Sequence, residues 1–156
     1  MIDFDKIWVE KYRPTTLDDI ILDERTLKQV KEFKEEIPNL LFVGNPGTGK
    51  TTLARIIVND VLGCNYLYIN ASDESGIDTI RHSITNFAQT KSFDGKVKVV
   101  ILDEADGLTT QAQSALRNTM ETYAKYCRFI LTANYKHKII PALQSRCQAL
   151  DIKPVV

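Results

Sequence analysis

The chain carries no net charge: 20 lysines and arginines balance 20 aspartates and glutamates. No overall basic field marks it for nucleic acid, and any such contact has to come from a local patch. Cysteine is scarce and poorly placed for chemistry. Cys64, Cys127 and Cys147 are an odd count, widely spaced and without a C-x-x-C pair, which argues against zinc or dithiol exchange and for reduced core thiols. His82 and His137 have no ligand set or nucleophile nearby, so both suit surface or packing roles. No apolar run approaches membrane-spanning length, and Met1-Ile2-Asp3-Phe4-Asp5-Lys6 lacks the basic and apolar regions of a signal peptide. A cytosolic protein without a membrane partner is expected. There is no internal repeat or low-complexity tract, and 156 residues at 44% hydrophobic and 26% charged fit one ordinary globular domain with a sizeable core.

What is present starts with Gly44-Asn45-Pro46-Gly47-Thr48-Gly49-Lys50-Thr51, a complete G-x-x-x-x-G-K-T phosphate loop. Glycines let the backbone curl so that N–H groups point inward, and the N-terminus of the following helix adds partial positive charge. Asn45, Pro46, Gly47, Thr48, Gly49, Lys50, Thr51 and Thr52 are therefore the expected binding residues for ATP, with Lys50 on the β- and γ-phosphates and the Thr51 hydroxyl on Mg2+. A glycine-rich turn can match by chance, but here an apolar run precedes it and a helical pattern follows.

Short apolar runs recur at Leu40 to Val43, Tyr66 to Ile69, Val97 to Leu102, Phe129 to Ala133 and Gln148 to Ile152. Between them lie segments of helical spacing: Leu27 to Glu36, the stretch after the loop, an i, i+3, i+4 stripe of Ile77, Ile80, Ile84, Phe87 and Ala88, and a third pattern of Ala112, Ala115, Leu116, Met120 and Tyr123. Alternating strands and helices with near-continuously apolar strands predict an α/β fold, a five-stranded parallel sheet with helices on both faces. Ligands of such sheets sit at the carboxyl ends of the strands. There Val99-Val100-Ile101-Leu102 delivers Asp103 and Glu104, a Walker B arrangement. Asp103 is expected to steady Mg2+ through water, and Glu104 to orient or deprotonate the water that attacks the γ-phosphate.

The order of these motifs, with a glutamate directly after the Walker B aspartate, resembles the AAA+ branch of phosphate-loop NTPases. That resemblance implies that Asn134, after Leu131-Thr132-Ala133, senses the γ-phosphate.

The resemblance narrows with Trp8-Val9-Glu10-Lys11-Tyr12-Arg13-Pro14, Leu17-Asp18-Asp19-Ile20-Ile21, Asn70-Ala71-Ser72-Asp73, Gly76-Ile77-Asp78, Asp103-Glu104-Ala105-Asp106 and Leu143-Gln144-Ser145-Arg146-Cys147. In order, and over nearly all of the chain, these look like the small ATPase subunit of sliding-clamp loaders, the replication factor C small subunits and their tailed-phage counterparts. The resemblance implies an adenine slot from Val9, Tyr12, Arg13, Pro14, Ile20 and Ile21. It implies that Arg146 is an arginine finger given to the ATP of an adjacent subunit, so that the catalytic set is Lys50, Glu104, Asn134 and Arg146. Ile77 and Arg81 match positions that track the template strand, with Arg81 and Thr85 one turn apart and off the apolar stripe. Gln113 and Arg117 match residues that couple neighbouring subunits or DNA to the nucleotide. Met120 and Tyr123 could touch the clamp, with core packing the favoured reading. The partners implied are other clamp-loader subunits in a pentameric hetero-oligomer, a sliding clamp and primer-template DNA. The site of action is then cytoplasmic, nuclear in a eukaryote, or the host cytoplasm for a virus.

One domain, 1–156 with an arm at 1–16, is expected, without the lid and collar domains with which family members usually continue. The alternatives are a nucleotide-dependent scaffold with negligible hydrolysis, or another AAA+ DNA-remodelling motor.

Overall fold

In the computed structural model, residues 24–73, 76–90 and 96–152 are described. Among them, β1 (Leu40–Val43), β2 (Tyr66–Asn70), β3 (Lys98–Asp103), β4 (Cys127–Ala133) and β5 (Gln148–Asp151) form one sheet in the order β2-β3-β4-β1-β5. Every pairing is parallel. The α-helices among the described residues are α1 (Glu24–Glu32), α2 (Lys50–Ile56), α3 (Gly76–Gln89), α4 (Thr110–Thr122) and the short α5 (Pro141–Gln144). The expected five-stranded parallel sheet between helical layers is the architecture observed.

Alternation along the strands builds two cores. Leu40, Phe42, Ile101 and Ile130 face Val30 of α1 and Leu53 and Ile57 at α2. Leu41, Val100, Leu102 and Leu131 face Ile80 and Ile84 of α3 and Leu116 and Met120 of α4. Because both faces are covered, the inner strands are apolar at successive positions rather than alternately. Burying each large side chain stabilises the fold by roughly 1.5–3 kcal/mol.

Element edges differ from the sequence reading for physical reasons. Helix α1 ends at Glu32 rather than Glu36: Phe33 N–H donates to Val30 at 3.1 Å in a tightened turn, and Pro38 disfavours helix for the residue before it. Strand β3 starts at Lys98 rather than Val97 and runs on to Asp103, and the Lys98 charge is accommodated because its Nζ donates to the Phe87 carbonyl near the end of α3 at 2.7 Å. Beyond α2 the helix widens into a π-turn over Ile57–Val61, where Leu62 N–H reaches Ile57 O at 2.8 Å. Propensity does not encode that widening.

The end of β1 shows why its first loop residue is glycine. Ile152 N–H donates to Val43 O at 2.7 Å, which draws the end of β5 against Gly44. A Cβ on Gly44 would stand 2.4 Å from the Ile152 carbonyl oxygen and 2.9 Å from Thr48 Oγ1. Gly44→Ala must therefore push β5 off β1, and thermal melts are expected to show a loss of about 4–8 °C, the equivalent of about 2 kcal/mol. An unchanged melting temperature would show that the two strand ends are not held this closely.

Candidate functional site

The strand order decides what meets at the carboxyl edge. Because β4 lies between β3 and β1, the loop after β1, Asn134 after β4 and Glu104 after β3 stand side by side. The loop turns through left-handed conformations at Gly47 (φ 82°) and Gly49 (φ 87°). Gly49 is also the residue before α2, and no side chain caps that end, so the first N–H groups of α2 are left for an anion. Thr48 Oγ1 braces the loop by donating to Asn45 O at 2.9 Å. The result is a cleft of about 240 Å3 lined by Pro46, Gly47, Gly49, Lys50, Thr51, Thr52, Asp103, Glu104, Thr132, Ala133 and Asn134.

Lys50 is only 8% exposed, and its ammonium donates to Gly44 O at 2.7 Å and Asn45 O at 2.9 Å. A lysine has three N–H donors, so one remains for an anion in the cleft. Burial lowers its pKa, while Asp103, Asp106 and Glu104 pull in the opposite direction.

Asp103 is the most heavily bonded group in the cleft. Its Oδ1 accepts from Thr51 Oγ1 at 2.7 Å and Thr132 Oγ1 at 2.5 Å, and its Oδ2 accepts from Tyr68 Oη at 2.7 Å. Burial alone would raise the carboxyl pKa, but the hydroxyls of Thr132, Tyr68 and Thr51 and the charge of Lys50 outweigh it and hold the group below its ordinary value. The Tyr68 phenol is pushed up to about 12, by burial first and then by this carboxylate. Thr51 and Asp103 offer adjacent oxygens of the kind a hard cation takes. Among the described residues no cluster of three or more His, Cys, Asp or Glu could hold a metal. A cation here would draw most of its ligands from phosphate and water, which suits Mg2+.

Glu104 sits on a strained backbone, φ 57° and ψ 46°, rare for a residue with a side chain and characteristic of functional positions. The strain is held in place from both sides. Its N–H donates to Thr132 Oγ1 at 2.9 Å, and its carboxylate accepts from the Ser72 hydroxyl. Ser72 is itself fixed to Asn70, whose Oδ1 takes the Ser72 N–H at 3.0 Å. Next door, Asp106 Oδ2 accepts the N–H groups of Asn134 (3.0 Å) and Tyr135 (3.2 Å), which sets the turn that carries Asn134 into the cleft.

Thus Lys50, Thr51, Thr52, Asp103, Glu104 and Asn134 come together as the sequence predicts. Tyr68, Ser72, Asp106 and Thr132 were missed as site residues. Polar groups on otherwise apolar strands were the signal at Tyr68 and Thr132.

Other expected positions lie elsewhere. Val9, Tyr12, Arg13, Pro14, Ile20 and Ile21, the expected adenine slot, lie outside the described residues. Arg81 is exposed at the start of α3, 3.9 Å from Asp78, and Ile77 packs partly against the second core. Thr85, read as lying on a phosphate-facing side, instead accepts from Tyr123 Oη at 3.0 Å across the α3–α4 contact. Met120 is 1% exposed, a core residue as favoured.

Gln113, expected to couple neighbouring subunits or DNA to the nucleotide, is 1% exposed and does not offer its side chain outward. Its amide donates to Leu108 O (3.1 Å) and Lys138 O (2.9 Å) and accepts from Ile140 N–H (2.8 Å), so the side chain is consumed in tying α4 to the turn before α5. Arg117 lies 3.9 Å from Glu121, one helical turn on, and Arg146, half-exposed, forms an ion pair with the same Glu121. Arg146 does not line this cleft.

Size alone would misplace the site. A depression of about 810 Å3 opens at the other end of the sheet among Lys96, Lys98, Lys125, Arg128 and two tyrosines, but Lys96, Lys98 and Arg128 there donate to backbone carbonyls. Cys64 and Cys127 are buried, and burial pushes the Cys147 thiol up to about 12.

A carboxyl held low in the folded state, with an ordinary value near 3.9 in the unfolded chain, contributes stability that is complete above that value and lost as pH falls through the folded one. Asp103→Asn is therefore expected to flatten the acid limb of stability below about pH 4 in urea melts. An acid limb as steep as that of the unsubstituted chain would remove Asp103 as its source.

Comparison with known proteins agrees with this geometry. Residues 40–154 match the family model described as ATPase family associated with various cellular activities (AAA). The chain is 50% identical over 157 residues to the replication factor C small subunit of Archaeoglobus fulgidus, with 96% of this chain and 49% of that protein covered. It is 49% identical over 158 residues to the namesake of Thermofilum pendens, with 97% and 49% covered. It spans about half the length of these curated relatives. Among solved structures, the Holliday junction branch migration motor RuvB of Thermotoga maritima superimposes with a TM-score of 0.68 over 90% of this chain and 48% of that one. At 22% identity that likeness speaks for the fold alone. With the loop, the acidic pair and the sheet order in one arrangement, and with the model matched from Leu40 onward, the chain belongs to the AAA family of ATPases.

Proposed function

We propose that this chain is the ATP-hydrolysing module of a clamp-loader subunit, acting with companion subunits in a hetero-oligomeric ring that opens a sliding clamp and loads it on primer-template DNA. The observation that carries the reading is the convergence of Lys50, Thr51, Asp103, Glu104 and Asn134 on one cleft, in a chain half identical to replication factor C small subunits.

In this reading the loop N–H groups and Lys50 hold the β- and γ-phosphates of ATP, and Val9, Tyr12, Arg13, Pro14, Ile20 and Ile21 enclose the adenine. Thr51 and Asp103 hold Mg2+, which supplies charge neutralisation at the transferring phosphoryl group. Glu104 takes the proton of the attacking water once it leaves Ser72, and Asn134 orients that water against the γ-phosphate. Arg146 leaves Glu121 to place its guanidinium on the ATP of the adjacent subunit. Ile77 and Arg81 face the template strand. Gln113 couples through the turn it braces rather than by direct contact, and Arg117 through Glu121. A lone copy is a weak enzyme on this account, because its glutamate is held aside and its finger serves a neighbour.

Glu104→Gln is expected to leave ATP affinity nearly intact while turnover falls at least about 100-fold. Equal loss of binding and hydrolysis would sink the role given to Glu104. Arg146→Ala subunits mixed with Lys50→Ala subunits should turn over faster than either variant alone, because an Arg146→Ala site can receive the finger of a Lys50→Ala neighbour. Simple averaging of activity across mixtures would instead place Arg146 in its own subunit's reaction.

A further inference from the structure

The hydroxyl of Tyr68 has no part in the chemistry above, yet it is bonded to the cleft's most constrained carboxylate. An ionised carboxylate offers about four lone-pair positions, two on each oxygen. Thr51 and Thr132 both donate to Oδ1 of Asp103, at 2.7 and 2.5 Å, and Tyr68 donates to Oδ2 at 2.7 Å. Oδ1 is saturated, and the lone pair left over is on Oδ2, beside the phenol.

The register explains the reach. β2 and β3 pair Tyr68 with Ile101 and Asn70 with Asp103, so Tyr68 and Asp103 are diagonal neighbours on one face of the sheet. A side chain as long as tyrosine spans such a diagonal. Helix α2 closes the arrangement from above. Thr51 and Arg55 lie one turn apart on it; the first donates to Asp103, and the second holds its guanidinium 4.8 Å from the centre of the Tyr68 ring. Thr51, Asp103, Tyr68 and Arg55 thus form a closed square between one helix and two strands.

Resting on the nucleotide reading of the cleft, we propose that Tyr68 is a positioning residue for the metal: it fixes the rotation of the Asp103 carboxylate so that Oδ2 is the oxygen that accepts from water on a cation held at Thr51. Without the phenol, Oδ2 loses its anchor, and the carboxylate turns about its two threonine bonds. Outer partners of this kind set metal affinity without touching the metal.

The test is Tyr68→Phe, which keeps the ring beneath Arg55 and deletes one oxygen. Binding of a fluorescent ADP analogue to the full chain is titrated with MgCl2 and repeated in EDTA. The magnesium concentration at half-maximal response should rise about 10-fold or more, while affinity in EDTA stays within about twofold. An unchanged magnesium midpoint overturns the proposal, as does an equal loss with and without magnesium, the mark of a merely structural role. Failure of the unsubstituted chain to bind the analogue under either condition would instead refute the nucleotide reading itself. Should the Phe variant not fold, the same titration on Arg55→Gln, which frees the ring but keeps its hydroxyl, should shift the midpoint in the same direction by less; no shift overturns the proposal.

Discussion

A carboxylate at the end of an apolar strand has to find donors, and Asp103 finds them on three separate elements. Thr51 comes from α2, Thr132 from β4 and Tyr68 from β2. A charge partly removed from water costs several kcal/mol unless hydrogen bonds replace its hydration. Satisfying this one group therefore fixes the first turn after the phosphate loop, the strand inserted between β1 and β3, and the strand at the edge of the sheet. The remaining cleft geometry is referred to that anchor, because Thr132 passes the constraint on to the strained backbone of Glu104.

The sheet order gives this anchor its meaning. In the order β2-β3-β4-β1-β5, the loop and the acidic pair are separated by one strand, about 5 Å away from each neighbour. That spacing leaves room for phosphate between Lys50 and Glu104, and it puts Asn134 between them. Lys50 and Asp103 also moderate one another: burial disfavours charge on both, and each supports charge on the other.

Three polar side chains are occupied within the chain rather than offered outward. Glu104 is held by Ser72, Arg146 by Glu121 and Gln113 by the turn before α5. The first two are single contacts at exposed positions, worth little each and easily exchanged for a better partner. The third is a buried set of three hydrogen bonds and is part of the fold. Sequence spacing did not separate these cases. Gln113 adjoins the buried stripe of Ala112 and Leu116, and helical periodicity alone does not say whether such a flank residue meets solvent or a neighbouring loop.

The sequence by itself determined the five strands, the helices between them, the phosphate loop and the acidic pair, because each is written in contiguous residues whose spacing sets its own backbone. Lys50, Thr51, Asp103 and Glu104 were legible for that reason, whereas Asn134 was named by the family resemblance. Only the tertiary structure decided which oxygens Asp103 shares with Thr132 and Tyr68, that Glu104 rests on Ser72, and that Arg146 pairs with Glu121. Those contacts join residues 29 or more apart in sequence, except the Glu121 pair, which spans β4 and α5. They depend on strand order, on the parallel register that makes Tyr68 and Asp103 diagonal neighbours, and on the face each helix turns to the sheet. Local propensity carries no record of any of the three, since each is settled only when the two cores close around the sheet.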